Sequence, residues 1–330
     1  MGREIALQRP SLPILESPAY FPQGEINLSL CDEVLRRVGK KNLVWAMGYG
    51  SQVSGDAGKR SMYDVMVVVD DITEFHKRGI LFHPFDYAQP HLTEWHAFLN
   101  RWGFNFYHSE FKMANKKHKL KLAVVSKEDF IRGCSGALGD QGGAFGMYVA
   151  GRVQKAALSP LYKRTEEDAT IIETAINTAR VHGVWYALGF LKDRFTYSEL
   201  LKTYVSLSYW ADVRVEKSGK IETLIKNNQL DYYNMLQPIL QSFIDQKLIT
   251  VVKEGFGWYK KAHSLSTTET YARLLKLITI SFLINYFKNP WTTTPQKTLT
   301  YAAMKVARTV DSLTFVKEAK QRVRKKKNPS

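Results

Sequence analysis

Cysteine is almost absent from this sequence: Cys31 and Cys134 are the only two among 330 residues. Two cysteines so far apart exclude a disulfide-stapled scaffold and a cysteine-rich metal site. We therefore expect a protein of a reducing compartment that is stabilised by an apolar core. A chain of this length can bury such a core, and we expect two or three domains.

Long apolar runs are lacking as well. The strongly apolar segment at residues 274–287 has only fourteen residues and includes Lys276, whereas a helix needs about 20 apolar residues to cross a bilayer. We interpret it as a core or interfacial helix. The first residues have neither the apolar core of a secretory signal nor the Arg/Ser-rich composition of a transit peptide, so neither type of targeting is expected.

Acidic residues are fewer than basic ones. The sequence has 31 Asp and Glu and 47 Lys and Arg, so its formal net charge is +16. A surface this basic favours a polyanionic partner, either nucleic acid or the anionic face of a membrane. The hydrophobic fraction of 45% and the charged fraction of 24% are those of an ordinary globular protein. The excess of positive charge is therefore the feature that points to a partner.

The common glycine-rich nucleotide fingerprints are missing too. Residues 43–71 are predicted to form two buried strands joined by a polar loop, because short apolar runs bounded by turn residues favour strands. Gly48-x-Gly50 ends the first run without the third glycine of a dinucleotide site, and no Gly-Lys-Ser/Thr follows. Neither a Rossmann site nor a P-loop is supported.

The same stretch does contain a candidate phosphate cradle and a candidate metal ligand. Gly50 allows the backbone to approach a ligand closely, and Ser51 adds a hydroxyl beside exposed amides. Asp64 opens the second strand, where a carboxylate is suited to hold Mg²⁺ against phosphates. A Gly-Ser pair, a gap of twelve residues and an acidic strand opening resemble the polymerase-β-type nucleotidyltransferases. That superfamily usually has a second carboxylate two residues later, and this position is Met66.

Three cations farther along are candidate phosphate contacts. Lys121 lies on a predicted strand over residues 120–125, and Arg152 and Lys155 are close enough in sequence to neutralise a pyrophosphate leaving group. Solvated surface charge explains Arg152 and Lys155 at least as well. Five histidines lie in one aromatic segment, but their spacing matches no zinc pattern, so we interpret them as solvated or core-edge residues. They are His76, His83, His91, His96 and His108.

The chain changes character near residue 161, and the predicted fold class is α+β. We predict a nucleotidyltransferase (polymerase-β-like) domain with a mixed sheet over residues 1–160 and a mostly helical, winged-helix-like domain over 161–265. A C-terminal helical region follows over 266–330. The predicted elements of the second domain are helices at 165–190, 197–207 and 230–246, a strand and turn around 218–219, and a hairpin turning at 254–255.

The C-terminal region ends in a basic amphipathic helix. From Lys297 onward there are ten Lys and Arg against Asp311 and Glu318, which is typical of a helix that lies on an anionic membrane. A packed surface helix with a disordered tail is an equally good interpretation. An RNA-binding tail is disfavoured because residues 316–330 contain no aromatic side chain for base stacking.

Several motifs occur together in a fixed order. They are GYGS at 48–51, SMYDVMVVVDD at 61–71, GFNFYHSEF at 103–111, KLAVVS at 121–126, YVAGRVQK at 148–155 and LSYWADVRVE at 207–216. In this order they resemble the mitochondrial-type phosphatidate cytidylyltransferases, also named the mitochondrial translocator assembly and maintenance family, from about residue 40 to about residue 260. The family's usual Gly-Ser-Gly-Val turn reads Gly-Ser-Gln-Val here.

The resemblance implies a reaction. CTP and phosphatidic acid, with magnesium, would give CDP-diacylglycerol and pyrophosphate in the synthesis of phosphatidylglycerol and cardiolipin. It also implies a nucleotidyltransferase domain, a winged-helix-like domain and a membrane-associating C-terminal segment. Because phosphatidic acid stays in a bilayer, the protein would act as a peripheral membrane enzyme. We expect the cytoplasmic face of a bacterial inner membrane, with the matrix face of the mitochondrial inner membrane as the alternative.

The implied site gives each candidate a role. Asp64 would hold magnesium, and Tyr49, Gly50 and Ser51 would contact the phosphates of CTP. Asp212 is the candidate for the acid missing at Met66. The remaining candidates would offset negative charge on the triphosphate or phosphatidate, although Arg214 has the alternative of simply pairing with Asp212. They are Lys121, Arg152, Lys155 and Arg214.

Two other functions remain open from the sequence. One is a nucleotidyltransferase that acts on RNA or protein, which the basic charge would also suit. The other is a non-enzymatic membrane-bound assembly factor, against which the Gly-Ser and Asp pattern argues. We expect CTP and phosphatidic acid, rather than nucleic acid, as partners; the sequence leaves the oligomeric state open.

Overall fold

A computed structural model provides the structure of the protein. The residues it describes are 12–15, 18–22, 28–50, 62–87, 92–101, 104–113, 116–135, 158–210, 219–253 and 257–262. Within them the fold mixes helices with a five-stranded mixed sheet, which confirms the predicted α+β class. The apolar segment at 274–287 and the predicted basic C-terminal helix lie outside the described residues.

The main sheet has the spatial order β3-β4-β2-β1-β5. β2 and β4 run parallel, and the other three neighbouring pairs are antiparallel. β3 and β4 form a hairpin. The strands are β1 Leu43–Tyr49, β2 Tyr63–Val69, β3 Asn105–Met113, β4 Lys116–Ser126 and β5 Leu158–Lys163.

The central strands are apolar because both faces of the sheet are covered. All seven residues of β1 are buried, as is the run from Val65 to Val69 in β2. Side chains of β2 alternate between two clusters: Val65, Val67 and Val69 belong to one, and Met66 and Val68 to the other. The two predicted strands of residues 43–71 are thereby confirmed.

Helices cover each face. α1 and α2 contribute Leu30, Val34 and Phe75 to the cluster on the first face, and α4 and α5 contribute Phe130 and Ile172 to the cluster on the second. The helices of this part are α1 Leu28–Val38, α2 Ile72–Phe82, a short 3₁₀ helix Pro84–Asp86, α3 Thr93–Asn100, α4 Lys127–Ser135 and α5 Glu166–Phe190.

α5 is the longest helix in the described part of the chain and joins the sheet to the helices that follow. It begins after Thr165, whose hydroxyl accepts a hydrogen bond from Asp168 N at 3.0 Å and caps the helix. The Asp168 carboxylate accepts hydrogen bonds from Lys127 Nζ at 2.7 Å and Arg164 Nε at 2.9 Å. Burial by itself would raise the pKa of Asp168, but these cations and Thr165 lower it to about 2.

Beyond α5 lie three helices and a three-stranded antiparallel sheet of order β6-β8-β7. Their apolar residues join the same cluster as the second face of the main sheet. The predicted hairpin is present as β7 and β8, although its turn lies outside the described residues. These elements are β6 Arg194–Thr196, α6 Tyr197–Trp210, α7 Lys220–Asn227, α8 Gln229–Asp245, β7 Ile249–Lys253 and β8 Trp258–Lys261.

One local prediction in this part is wrong at its start. The segment from Leu207 was expected to begin a strand that leads to a turn around 218–219, but residues 207–210 continue α6; residues 211–218 lie outside the described part of the chain. Tyr and Trp at the end of α6 favour strands by propensity. Packing decided otherwise, because Tyr204 and Leu207 are buried in the core from a helix.

No helix among the described residues is both long and apolar enough to cross a membrane. Both cysteines are free thiols, and Cys134 is buried in the core.

Candidate active site

The candidate site lies where β1 ends and β2 begins. Gly50 follows β1 with φ +85°, a left-handed conformation that L side chains rarely adopt. A Cβ built on Gly50 would stand 2.9 Å from Asp64 Oδ2. Glycine is therefore required here for two reasons, the backbone conformation and the close approach of the Asp64 carboxylate.

Strand register brings the described candidates into one row. Tyr49 pairs with Asp64 across β1 and β2, and Asp64 pairs with Lys121 across the parallel strands β2 and β4. The row continues to His108, which pairs with Lys121 in the β3–β4 hairpin. Because side chains alternate along a strand, Asp64 lies on the same face as Met66, and Lys121 on the same face as Ala123, which is the face that α4 and α5 cover.

Asp64 and Lys121 form a loose ion pair. Lys121 Nζ lies 3.4 Å from Asp64 Oδ1, and the two side chains are 21% and 24% exposed respectively. The ammonium also lies 4.6 Å from the centre of the Phe106 ring, within the range of a cation–π contact. A partly exposed pair of this kind contributes roughly 0–1 kcal/mol to stability. Breaking this pair so that Lys121 can contact an anionic ligand therefore costs little free energy.

Met66, two residues after Asp64, stands where the superfamily usually has its second carboxylate. Met66 is fully buried and belongs to the core cluster beneath α4 and α5. A carboxylate there would be placed in an apolar environment, where it is costly unless a metal or a cation pairs with it. Within the described residues, Asp64 is the one predicted metal ligand.

The other predicted site residues lie outside the described part of the chain. The structure therefore brings together Tyr49, Gly50, Asp64 and Lys121, and the positions of the rest stay predictions. Those outside are Ser51, Arg152, Lys155, Asp212 and Arg214.

Two residues of this site were not among the candidates. Phe106 underlies the Lys121 ammonium, and His108 stands next to Lys121 in the row. Both could have been found from the sequence by assuming that β3 and β4 form a hairpin. Counting back from its turn, where Met113 pairs with Lys116, places residue 108 opposite residue 121.

The histidine segment forms a buried polar network in place of a ligand cluster. His76 and His96 are fully buried with ring centres 5.6 Å apart. His76 Nε2 is 3.0 Å from Asn100 Oδ1, and Asn100 Nδ2 donates to Val124 O at 2.8 Å. Among the described residues there is no group of three or more His, Cys, Asp or Glu that is placed to hold a metal ion. His91 lies outside them.

Comparison with known proteins decides the family. A family model described as "Phosphatidate cytidylyltransferase, mitochondrial" matches residues 31–274. The chain belongs to this family. The match includes all nine predicted site residues and confirms the family that the ordered motifs indicated.

Curated relatives carry the same description. A protein of Schizosaccharomyces pombe named "Phosphatidate cytidylyltransferase, mitochondrial" is 27% identical over 250 residues, which is 70% of this chain and 60% of that protein. Proteins of the same name from Caenorhabditis briggsae and Caenorhabditis elegans are 26% and 25% identical over 241 residues, 70% of this chain and 68% of each relative. The chain thus spans about three fifths to two thirds of these relatives. The enzyme class in their names is the one predicted from the sequence.

Proposed function

We propose that this chain transfers CMP from CTP to phosphatidic acid and releases pyrophosphate. A phosphatidate oxygen attacks the α-phosphorus of CTP, a new phosphorus–oxygen bond forms, and the bond from the α-phosphorus to the β-phosphate oxygen breaks. The products are CDP-diacylglycerol and pyrophosphate. The observation that carries the proposal is the juxtaposition of Gly50, Asp64 and Lys121, where β1 ends and β2 begins, in a member of this family.

The protein's part in such a reaction is positioning and charge neutralisation. The backbone after β1 is free of a side chain at Gly50, so a phosphate can approach the chain there. Lys121 lies one strand away from Asp64 and is oriented by the Phe106 ring. When a triphosphate binds, we expect Lys121 to exchange its loose contact with Asp64 for a phosphate oxygen.

We propose magnesium as the cofactor and Asp64 as its protein ligand. Mg²⁺ usually keeps several waters and takes one or two carboxylates together with substrate phosphates, so a single partly exposed carboxylate beside a phosphate-binding backbone fits it. When bound, the ion would neutralise charge on the phosphates during transfer. Asp212 remains the proposed second ligand.

The remaining predicted roles are part of the same proposal. Tyr49 and Ser51 would flank the phosphates, and the cations of the later motifs would face the triphosphate or phosphatidate. Tyr49 is buried at the end of β1 and pairs in register with Asp64, and this proximity supports its proposed role. The cations are Arg152, Lys155 and Arg214.

The finer fold assignment is also a proposal. A mixed sheet with the carboxylate at the start of β2 suits a nucleotidyltransferase domain, and three helices with the β6-β8-β7 sheet suit a winged-helix-like domain. We propose that the protein is peripheral to an anionic membrane, because its lipid substrate does not leave the bilayer. A bacterial inner membrane or the matrix face of a mitochondrial one stays a prediction.

The experiment is an acceptor panel with the full chain. CTP radiolabelled at the α-phosphate is incubated with magnesium and, separately, with phosphatidic acid, diacylglycerol, tRNA or protein. We expect label in the lipid extract with phosphatidic acid alone, and a dependence on magnesium that a chelator abolishes. Label transferred to tRNA or protein would support an RNA- or protein-directed nucleotidyltransferase, and failure to bind CTP would support a non-enzymatic role.

A further inference from the structure

Five large apolar side chains are exposed on the helical layer formed by α2, the 3₁₀ helix and α3. We call this set the aromatic surface. Phe85 is the most exposed of them, at the 3₁₀ helix. The members are Leu81 (72% exposed), Phe82 (59%), Phe85 (87%), Trp95 (38%) and Phe98 (41%).

The layer beneath the aromatic surface is tightly packed. His76 of α2 and His96 of α3 are both buried, and the Tyr87 ring lies 5.0 Å from that of His96 and 5.9 Å from that of His76. Tyr87 also approaches α2 so closely that a Cβ at Gly79 would clash with its hydroxyl. These buried contacts fix the two helices and the 3₁₀ helix to one another, so their outward residues are presented together.

Some of the exposed rings are themselves ordered. The rings of Trp95 and Phe98 stack with their centres 5.5 Å apart, and the Arg78 guanidinium lies 5.1 Å from the centre of the Phe82 ring. Taking about 200 Å² for a large side chain, the exposed fractions amount to about 600 Å² of apolar surface. The largest contiguous apolar patch of a monomer is normally about 300–600 Å², so the summed apolar exposure of this one layer is large.

Around the aromatic surface, cations are slightly more numerous than acids. Lys77 and Arg78 lie on α2 itself, and Arg101 follows α3. Arg78 also donates to Arg36 O at 3.2 Å, which brings the turn containing Lys40 and Lys41 next to α2. The acids of the layer are Asp71, Glu74 and Glu94, which are exposed, and Asp86, which is in an ion pair with Arg37 at 2.9 Å.

We propose that the aromatic surface docks on an anionic phospholipid bilayer, as a membrane contact separate from the basic C-terminal segment predicted from the sequence. Aromatic rings with cations around them suit the boundary between headgroups and acyl chains, where the rings insert and the cations meet phosphates. The choice of a bilayer over a protein partner rests on the proposed function, because a lipid-linked substrate requires the enzyme to meet a membrane. The surrounding cations match the charge of that membrane.

The test uses the full chain and the double variant Phe82→Ser/Phe85→Ser. Binding is measured by flotation with vesicles of phosphatidylcholine alone and of phosphatidylcholine with phosphatidic acid. We expect wild type to prefer the anionic vesicles, and the double variant to bind them at least about tenfold more weakly, since each buried phenylalanine contributes substantially to transfer. Leu230→Ser is the matched control, because Leu230 is 70% exposed on α8; it should bind as wild type does.

Each other outcome has a definite meaning. Equal flotation of the double variant and wild type overturns the proposal, as does equal binding of wild type to neutral vesicles. Loss of a wild-type dimer in the double variant overturns it in favour of contact between copies of the chain. If the double variant does not fold, Phe85→Ser alone carries the test, since that ring is almost wholly exposed.

Vesicle binding also separates this inference from the proposed enzyme activity. Binding that depends on Phe82 and Phe85, in a protein that transfers no label from CTP, would refute the proposed function and leave the docking surface standing. In an active enzyme, the double variant should keep its turnover of a short-chain, water-soluble phosphatidate while losing turnover of phosphatidate in vesicles.

Discussion

Replacing Gly50 with alanine should damage the site through one defined contact. The new Cβ would lie 2.9 Å from Asp64 Oδ2, and tolerable contacts begin near 3.4 Å. The carboxylate would therefore have to move by about half an ångström. A misplacement of about 1 Å near reacting groups can cost about 100-fold in rate, so we expect a loss of about tenfold or more in turnover of CTP.

A second effect of the substitution, backbone strain, must be separated from the first. Alanine at a left-handed position costs about 1–2 kcal/mol of stability, and that alone could lower the yield of active protein. Gly219 provides a matched control, because its φ is also +85° but a Cβ there meets no atom within 4 Å. Gly219→Ala should show the same strain without crowding Asp64.

The assay combines thermal unfolding with label transfer from CTP to phosphatidic acid. Both variants should unfold a few degrees below wild type, at about 2–4 °C per kcal/mol for a chain of this size. Only Gly50→Ala should lose specific activity. Wild-type activity in Gly50→Ala, or an equal loss in Gly219→Ala, would refute the argument that Gly50 is needed to place Asp64.

Three further predictions test other parts of the account. Lys121→Met should reduce turnover of CTP by roughly 100-fold, as expected for loss of a charge-stabilising group. Lys117 is exposed on the same strand, so Lys117→Met should keep wild-type turnover. Equal turnover by the two variants would contradict the role of Lys121. Because the pKa of Asp168 is lowered in the folded protein, its ionised carboxylate should stabilise the fold by about 1 kcal/mol above about pH 4, allowing for screening. This stabilisation should be lost as the pH falls towards 2. Urea unfolding of Asp168→Asn should lack that pH dependence. Deleting residues 295–330 should weaken flotation with anionic vesicles, and unchanged flotation would count against a membrane-binding tail.

Much of the local structure followed from the sequence. The buried strands at 43–49 and 63–69 were signalled by β-branched runs between turn residues. The predicted helix start at residue 197 has a local signal, because Thr196 precedes it as a capping residue: the Thr196 hydroxyl accepts from Glu199 N at 3.2 Å, and the Glu199 carboxylate accepts from Thr196 N at 2.7 Å. These signals are local, which is why a single sequence carries them.

The site depended on pairings that the sequence does not encode locally. Lys121 reaches Asp64 only because β2 and β4 pair in parallel with a register that joins residues 57 positions apart. The local sequence around Asp64 and Lys121 does not indicate this register. Phe106 and His108 entered the site in the same way, through their pairing with β4. The sequence shows which residues have suitable side chains, and the pairing of the strands determines which of these residues come into contact.

The central claim is that Asp64 is required for transfer of CMP to phosphatidic acid. The most direct measurement is the label that passes from α-labelled CTP into the lipid extract, compared between wild type, Asp64→Ala and the control Asp32→Ala, which changes an exposed carboxylate on α1. We predict CDP-diacylglycerol from wild type and Asp32→Ala and a loss on the order of 100- to 1,000-fold in Asp64→Ala, with all three proteins folded. Near-wild-type labelling of lipid by Asp64→Ala would contradict the account.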